Sequence, residues 1–269
     1  MIPSIELKSG FRMPQVGYGT WQVSQSPVFQ QAYETGYRHF DTATMYGNER
    51  VLGQALSSHA RQDLFVTSKL LPDSEMGAGA ISACERMLAR LQMDYLDLLL
   101  IHWPGRDRKL MQETWRSMEQ LVAAGKVRSL GVSNFLEPHL RDIEAVATLP
   151  ISVNQVEYHP LCQDTTLLRY CASKSIVVEA YSPFGAGLSD IFHHSTLRSL
   201  GEKYGKTVAQ VTLRWLLQLG LVPLPRSTNL QRMRENICFF DFALSDAEME
   251  QIAQLNQDYH TDWDPRSTL

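Results

Sequence analysis

Cysteine is scarce: the 269 residues hold four, Cys84, Cys162, Cys171 and Cys238, with no C-x-x-C spacing. That excludes a disulfide framework and fits reduced thiols in a cytosolic protein. Glycine and proline are modest at 16 and 12, which excludes collagen-like and low-complexity chains. Neither Lys nor Arg gathers into a run and the formal net charge is −4, so the footprint of a nucleic-acid or anionic-membrane binder is missing. Long apolar runs are absent too: the stretch from Leu96 to Trp103 is broken by Asp97 and falls short of the roughly 18 residues a membrane span needs. The start, Met1 to Glu6, has neither the basic flank nor the apolar core of a signal peptide. What is present, 44% hydrophobic and 20% charged residues, is an ordinary globular composition. The expectation is a monomeric, cytoplasmic chain forming one domain over 1–269, with a small molecule as its partner and no nucleic acid or membrane.

No linker or low-complexity stretch divides the chain. Short β-rich runs alternate instead with segments of helical period: 15–18 then 27–35, 38–41 then 49–57, 64–69 then 78–91, and 96–102 then 110–124. The second half continues with 127–133 then 137–146, 152–157 then 165–174, 177–182 then 195–204 and 208–219, and 221–226 then 230–237. Gly36, Gly125 and Gly220 stand where helix ends want a left-handed residue, and Asn48 and Thr207 stand as N-caps. Eight β/α units in about 250 residues predict a (β/α)8 TIM barrel, against a doubly wound sheet as the competing topology. Outside the repeat lie an N-terminal β-hairpin, 5–13, turning at Ser9-Gly10, and an extra C-terminal helix, 246–255, announced by Ser245-Asp246-Ala247-Glu248.

In such a barrel the active site lies where strands end. The polar residues ending the strands are Asp41, Lys69, His102, Ser133 and Asn134, Gln155 and Glu157, Tyr181, and Arg226. Each alone reads as a turn former or cap. Gly17-Tyr18-Gly19-Thr20-Trp21 lacks the third glycine of a dinucleotide fingerprint, and no helical pattern starts there. No metal site is expected: His39-Phe40-Asp41 is not a paired-ligand motif, and His193-His194 read as solvated loop residues.

Taken together, several segments resemble the aldo-keto reductase superfamily. They are Phe40-Asp41-Thr42-Ala43-Thr44-Met45-Tyr46-Gly47-Asn48-Glu49, Val66-Thr67-Ser68-Lys69 and Leu99-Leu100-Ile101-His102-Trp103-Pro104. The likeness continues through Gly131-Val132-Ser133-Asn134-Phe135, Asn154-Gln155-Val156-Glu157-Tyr158-His159-Pro160, Ala180-Tyr181-Ser182-Pro183-Phe184 and Leu224-Pro225-Arg226-Ser227, in the family's order. The resemblance implies a barrel that reduces carbonyls with NADPH, without metal or flavin. Hydride transfer to a carbonyl leaves an alkoxide-like oxygen that needs a proton, and a phenol is too weak an acid unless a nearby cation favours its ionised form. By resemblance Tyr46 is the proton donor, Lys69 lowers its pKa, Asp41 pairs with Lys69, and His102 hydrogen-bonds the carbonyl oxygen.

The resemblance also assigns cofactor residues. Ser133, Asn134 and Gln155 would bind the nicotinamide carboxamide, and Tyr181 would stack on its ring. Ser182, Phe184 and Gly185 begin a loop near the pyrophosphate, while Gly19, Thr20 and Asp41 complete the cofactor's surroundings. Arg226, Ser227, Thr228, Asn229, Arg232, Glu235 and Asn236 resemble the adenosine 2′-phosphate pocket, where guanidinium groups suit a phosphate dianion. Trp21 and Trp103, with Tyr46 and His102, would bound the substrate. The loop Pro104-Gly105-Arg106-Asp107-Arg108 and the tail after Leu255 are short, which points away from bulky apolar substrates and toward the bacterial diketogluconate and methylglyoxal reductases. The alternative is an NADPH-binding sensor or regulatory subunit with little turnover; the full catalytic set and the lack of a segment before Ile5 argue for an enzyme.

Overall fold

The computed structural model describes residues 2–187 and 190–268. A two-stranded antiparallel hairpin comes first, β1 (Ser4–Glu6) and β2 (Arg12–Pro14). The alternating part then runs β3 (Tyr18–Gly19), α1 (Ser26–Thr35), β4 (His39–Asp41), α2 (Glu49–Leu56), β5 (Phe65–Leu70), α3 (Gly79–Leu91), β6 (Leu96–Ile101) and α4 (Arg108–Ala123). It continues with β7 (Val127–Ser133), α5 (Glu137–Glu144), β8 (Val153–Glu157), α6 (Thr165–Ser173), β9 (Val177–Tyr181), α7 (Ser195–Tyr204), α8 (Val208–Gln218), β10 (Val222–Pro223) and α9 (Leu230–Glu235), and ends with α10 (Asp246–Ala253). Strands β3 to β10 form one parallel sheet of eight, each paired with its sequence neighbour. The sheet curls shut where Gly17 N donates to Pro223 O at 3.0 Å and Gly19 N to Pro225 O at 3.1 Å, so the barrel expectation holds over the doubly wound one.

Strand parity sorts the side chains. Leu98 and Leu100 of β6 join Phe65, Val153 and Val222 in an inner cluster with Leu7 and Met13 of the hairpin, whereas Leu99 and Ile101 face the outer helices with Trp115 and Met118. The hairpin therefore plugs the end of the barrel where the strands begin. The interior is packed: a Cβ on Gly131 would lie 2.6 Å from Val153 O and 2.7 Å from Leu100 Cδ2. Continuing each inward parity to the far end of its strand reaches Asp41 on β4, Lys69 on β5, His102 just past β6, Ser133 on β7, Glu157 on β8 and Tyr181 on β9. These strand-end side chains thus gather at the open mouth.

Three local readings need correction. Asn48 precedes α2 but makes no side-chain cap. Its amide nitrogen donates to Thr20 O and Val23 O, and its oxygen accepts from Thr42 Oγ1, so it ties two loops at the mouth together instead. The first strand is Tyr18–Gly19, later than 15–18, and the last is Val222–Pro223, shorter than 221–226, because both lie at the seam where the ladder is sparse. Thr207 and Ser245 do form capping boxes, with Gln210 and Glu248, and Gly125 and Gly220 have the left-handed backbone that helix ends favour. Among the described residues no helix is long and apolar enough to cross a membrane.

Candidate active site

Three strand-end residues, Asp41, Lys69 and His102, and Tyr46 from the loop after β4 converge at the mouth. Lys69 is fully buried, and its Nζ donates to Asp41 Oδ1 at 2.8 Å, Asp41 Oδ2 at 2.7 Å and Thr42 O at 3.1 Å. It also lies 3.3 Å from Tyr46 Oη and 5.0 Å from the centre of that ring. Tyr46 comes from a short 3-10 turn, Thr44–Tyr46, directly after β4, which brings its phenol back over the strand end. The rings of Tyr46 and His102 meet edge to face with centroids 5.9 Å apart. A buried cation, a half-buried phenol and a buried imidazole thus meet at the mouth.

Burial opposes the Lys69 ammonium, but Asp41 and Tyr46 together outweigh it and hold its pKa above the usual lysine value. Lys69 does act to lower the Tyr46 pKa, through its charge and its hydrogen bond, but is not the largest influence on it. Burial raises it, the Lys69 charge lowers it and Asp41 raises it again; burial prevails, so the phenol sits above its ordinary value and keeps its proton in the resting protein. Burial, helped by the Lys69 charge, drives His102 down to about 3, so its imidazole is neutral at physiological pH. Beneath these residues Gln155 Nε2 donates to both Asp41 Oδ1 and Glu179 Oε2 at 2.8 Å. Burial and the Asp41 charge push Glu179 up to about 8, and burial pushes His39 down to about 3. Although His39 Nε2 and Glu179 Oε1 are 3.5 Å apart, burial keeps His39 uncharged, so the contact is not an ion pair.

The residues assigned to the cofactor form two groups. In the first, Tyr181 Oη donates to Asn134 Oδ1 at 2.9 Å, and Asn134 Nδ2 donates to His102 O at 3.1 Å and Ser133 Oγ at 3.2 Å. Asn134 takes a left-handed backbone (φ 63°), which turns its amide into the mouth, and Gln155 stands one strand away, tied to Asp41. In the second, at the seam, Arg226 Nε donates to Trp21 O at 3.1 Å and Tyr18 Oη donates to Ser227 O at 2.6 Å. That places Gly19, Thr20 and Trp21 beside Arg226 and Ser227; Thr20 Oγ1 donates to Asp41 O at 2.8 Å. Ser227 Oγ accepts from Asn229 N across Thr228, and Asn229 caps α9, which carries the exposed Arg232. Glu235 accepts from Gln231 within the same helix, and Asn236 is buried just after it. Between the two groups, Ser182 and Gly185 to Gly187 run with positive φ, and Phe184 packs against Phe192.

The tail is what sequence reasoning missed. Glu157, buried at the end of β8, accepts hydrogen bonds from Thr261 N at 2.9 Å, from Thr261 Oγ1 and from Asp262 N at 3.4 Å. Burial alone would raise its pKa, but the bonds from His159 and Thr261 lower it below the usual carboxylate value. Trp263, 74% exposed, reaches back to the buried Trp103 with ring centroids 5.9 Å apart, while Trp21 stands 50% exposed on the seam side. Short as it is, the tail reaches the rim. An acceptor such as Glu157 and its distant donors share no spacing rule, and the isolated tryptophan was the one available signal.

A parallel eight-stranded barrel with its hairpin plug and a buried Asp–Lys pair beside a tyrosine and a histidine define a carbonyl-reducing class of enzyme. The chain matches the Aldo/keto reductase family over residues 15–257 and belongs to it; it is an NADP-dependent oxidoreductase. It is 40% identical to the glyoxal reductase of Bacillus subtilis, covering 99% of this chain and 97% of that protein. It is likewise 40% identical to the methylglyoxal reductase DkgA of Salmonella typhimurium, over 97% of this chain and 96% of the other. A Bombyx mori aldo-keto reductase solved in complex with NADP superposes with a TM-score of 0.92 at 34% identity, covering 97% of this chain and 95% of that one.

Proposed function

We propose that this chain reduces small polar aldehydes and ketones, of the methylglyoxal or keto-sugar-acid kind, to alcohols, with Tyr46 as proton donor. The observation that carries the reading is the Lys69 ammonium, fully buried on Asp41 and 3.3 Å from the Tyr46 phenol. The cofactor fits the residues present: Arg226 and Arg232 are exposed cations with no carboxylate partner among the described residues, and Asn134 and Gln155 offer amides at the strand ends. Ser133, Asn134, Gln155 and Tyr181 would hold the nicotinamide end; Arg226, Ser227 to Asn229 and Arg232 would hold the phosphate of the adenosine end. Bound NADPH supplies the hydride that reduces the carbonyl carbon.

The chain's own groups handle the oxygen. Neutral His102 has an N–H to donate to the carbonyl, which fixes the oxygen toward Tyr46. As negative charge grows there, Tyr46 Oη gives up its proton, and the phenolate left behind is stabilised by Lys69 Nζ. A resting pKa raised by burial keeps that proton in place until charge develops on the substrate. Asp41 and Gln155 act as positioning residues, fixing the ammonium. Similarity to glyoxal and methylglyoxal reductases, together with the short loop after β6, supports small substrates.

Initial rates of NADPH oxidation with methylglyoxal and keto-sugar acids test the proposal. Tyr46→Phe should lower turnover at least about a hundredfold, the scale of general acid catalysis, with NADPH affinity by fluorescence titration nearly unchanged. Retention of most activity in that variant would overturn the mechanism. NADPH binding with no carbonyl turnover in the unaltered protein would instead identify a cofactor sensor.

A further inference from the structure

We propose that Glu157, Cys162 and His260 form a binding site for a thiophilic divalent cation such as Zn2+, at the joint between the end of β8 and the C-terminal tail. A thiol, an imidazole and a carboxylate meet there, with one ligand atom of each within 4.8 Å of the others. Cys162 Sγ lies 3.5 Å from His260 Nδ1, and His260 Nδ1 lies 3.6 Å from Glu157 Oε2. Around a tetrahedral zinc with ordinary bond lengths, the S···N and N···O edges are about 3.6 and 3.4 Å, so two edges are already near their bound length. The donor set also selects the ion. Sulfur and imidazole favour zinc and its late first-row neighbours over calcium or magnesium, which take oxygen ligands.

The surroundings orient the ligands as metal sites do. His260 Nε2 lies 3.2 Å from Asp258 Oδ1 and 3.3 Å from the Arg266 guanidinium, contacts that hold the ring; in the tautomer protonated at Nε2 toward Asp258, the Nδ1 lone pair is directed at Cys162 and Glu157. Asp258 is in turn paired with Arg266 at 2.9 Å. Cys162 is fixed by reciprocal backbone hydrogen bonds with His159, at 3.1 and 2.9 Å, while Thr261 and His159 hold the Glu157 carboxylate. On binding, the cation replaces the proton of the Cys162 thiol, which leaves to solvent; no oxidation state changes. A fourth position remains for water. Because Cys162 and His260 lie 98 residues apart, no ligand motif marks the site in the sequence.

The test is titration of the reduced, metal-free full chain with Co2+, followed through thiolate-to-cobalt charge transfer in the near ultraviolet and the visible bands of a four-coordinate ion. Stoichiometric binding, reversed by Zn2+, is expected. Cys162→Ser and His260→Ala should each abolish the charge-transfer band, Asp258→Asn should weaken binding about 10- to 100-fold, and Cys238→Ser, altering an exposed thiol, should change nothing. His260 stands on the tail surface, so its variant decides the matter even if Cys162→Ser fails to fold. Absence of charge transfer in the unaltered chain, its survival in His260→Ala, or its loss in Cys238→Ser would overturn the site.

Discussion

Asp41→Asn separates the charge of the buried pair from its shape. The substitution keeps the size of the side chain and one acceptor for Lys69 Nζ but removes the negative charge that faces it at 2.8 and 2.7 Å. Removing one partner of a buried pair costs about 3–5 kcal/mol, because the other charge stays behind without compensation. Against a typical stability of about 5–15 kcal/mol the loss is large. Its pH dependence carries the sign of the effect. In the native protein the Lys69 pKa is raised, so the folded state holds that proton more tightly than the unfolded chain. The contribution is complete below the unfolded lysine value, about 10.4, and is lost as pH rises through the folded one. In the variant only Tyr46 still opposes burial, so the Lys69 pKa falls; below the unfolded value the unfolded chain binds more protons, and the deficit shrinks as pH rises toward 10. Urea unfolding followed by tryptophan fluorescence at about pH 7 and pH 9.5 measures both effects. A loss at pH 7 under about 1 kcal/mol, the size of an exposed pair, or a deficit that does not shrink with pH, would refute the reasoning. Adding Lys69→Met to Asp41→Asn should recover much of the stability, since no orphan charge remains.

Arg232→Ala should weaken NADPH binding about ten- to a hundredfold and leave NADH nearly unaffected, because a charge-assisted bond to phosphate is worth roughly 1.5–3 kcal/mol; equal losses for both cofactors in fluorescence titrations would move the arginine out of the phosphate pocket. Glu179, pushed up to about 8, keeps its proton in the folded state where the unfolded chain has lost it, so between pH 4.5 and 8 its contribution falls as pH rises, with a slope approaching about 1.4 kcal/mol per unit. Glu179→Gln should flatten that part of the stability profile, and an unchanged profile in chemical denaturation would contradict the assignment. Trp263→Ala removes the partner of Trp103 at the rim, where an aromatic pair is worth about 0.5–1.5 kcal/mol, and should raise the KM for carbonyl substrates about two- to tenfold with kcat nearly constant. A collapse of kcat in steady-state assays would mean that the tail acts on the chemistry itself.

Strand parity explains why so much of the mouth was legible. Lys69 is a charged residue at the end of a buried apolar strand, and two residues earlier Thr67 and then Phe65 face the same interior, so the alternation alone aims the ammonium at the barrel axis. The same holds for His39 and Asp41, and for Leu98, Leu100 and His102. Asn48 misled because Asn before a helix usually caps it, whereas here the 3-10 turn that carries Tyr46 leaves its amide free to bridge two loops. The direction of the Tyr46 shift was beyond sequence as well: the sign of the Lys69 effect can be read from its charge, but the depth of burial that outweighs it is a property of the assembled mouth. The tail stayed hidden for a similar reason, since Glu157 and Thr261 meet across 104 residues through bonds that any donor on a returning chain could make.

The seam between β3 and β10 has a mechanical consequence. Elsewhere each strand of the barrel is laced to its neighbour by a paired ladder; here the backbone crosses twice, from Gly17 and Gly19, and a Cβ on Gly17 would sit 2.4 Å from Leu224 Cδ2, so no side chain can fill in. Arg226 and Ser227, proposed to grip the adenosine end, stand on one lip of that join, and Gly19 and Thr20, proposed only as part of the cofactor's surroundings, stand on the other. A dinucleotide held, as proposed, by residues of both lips would act as a stitch across the weakest meridian of the cylinder. Its affinity and the resistance of the barrel to springing open are then one free energy, growing as RT ln(1 + [L]/Kd) and reaching about 2.7 kcal/mol at a hundredfold excess over Kd.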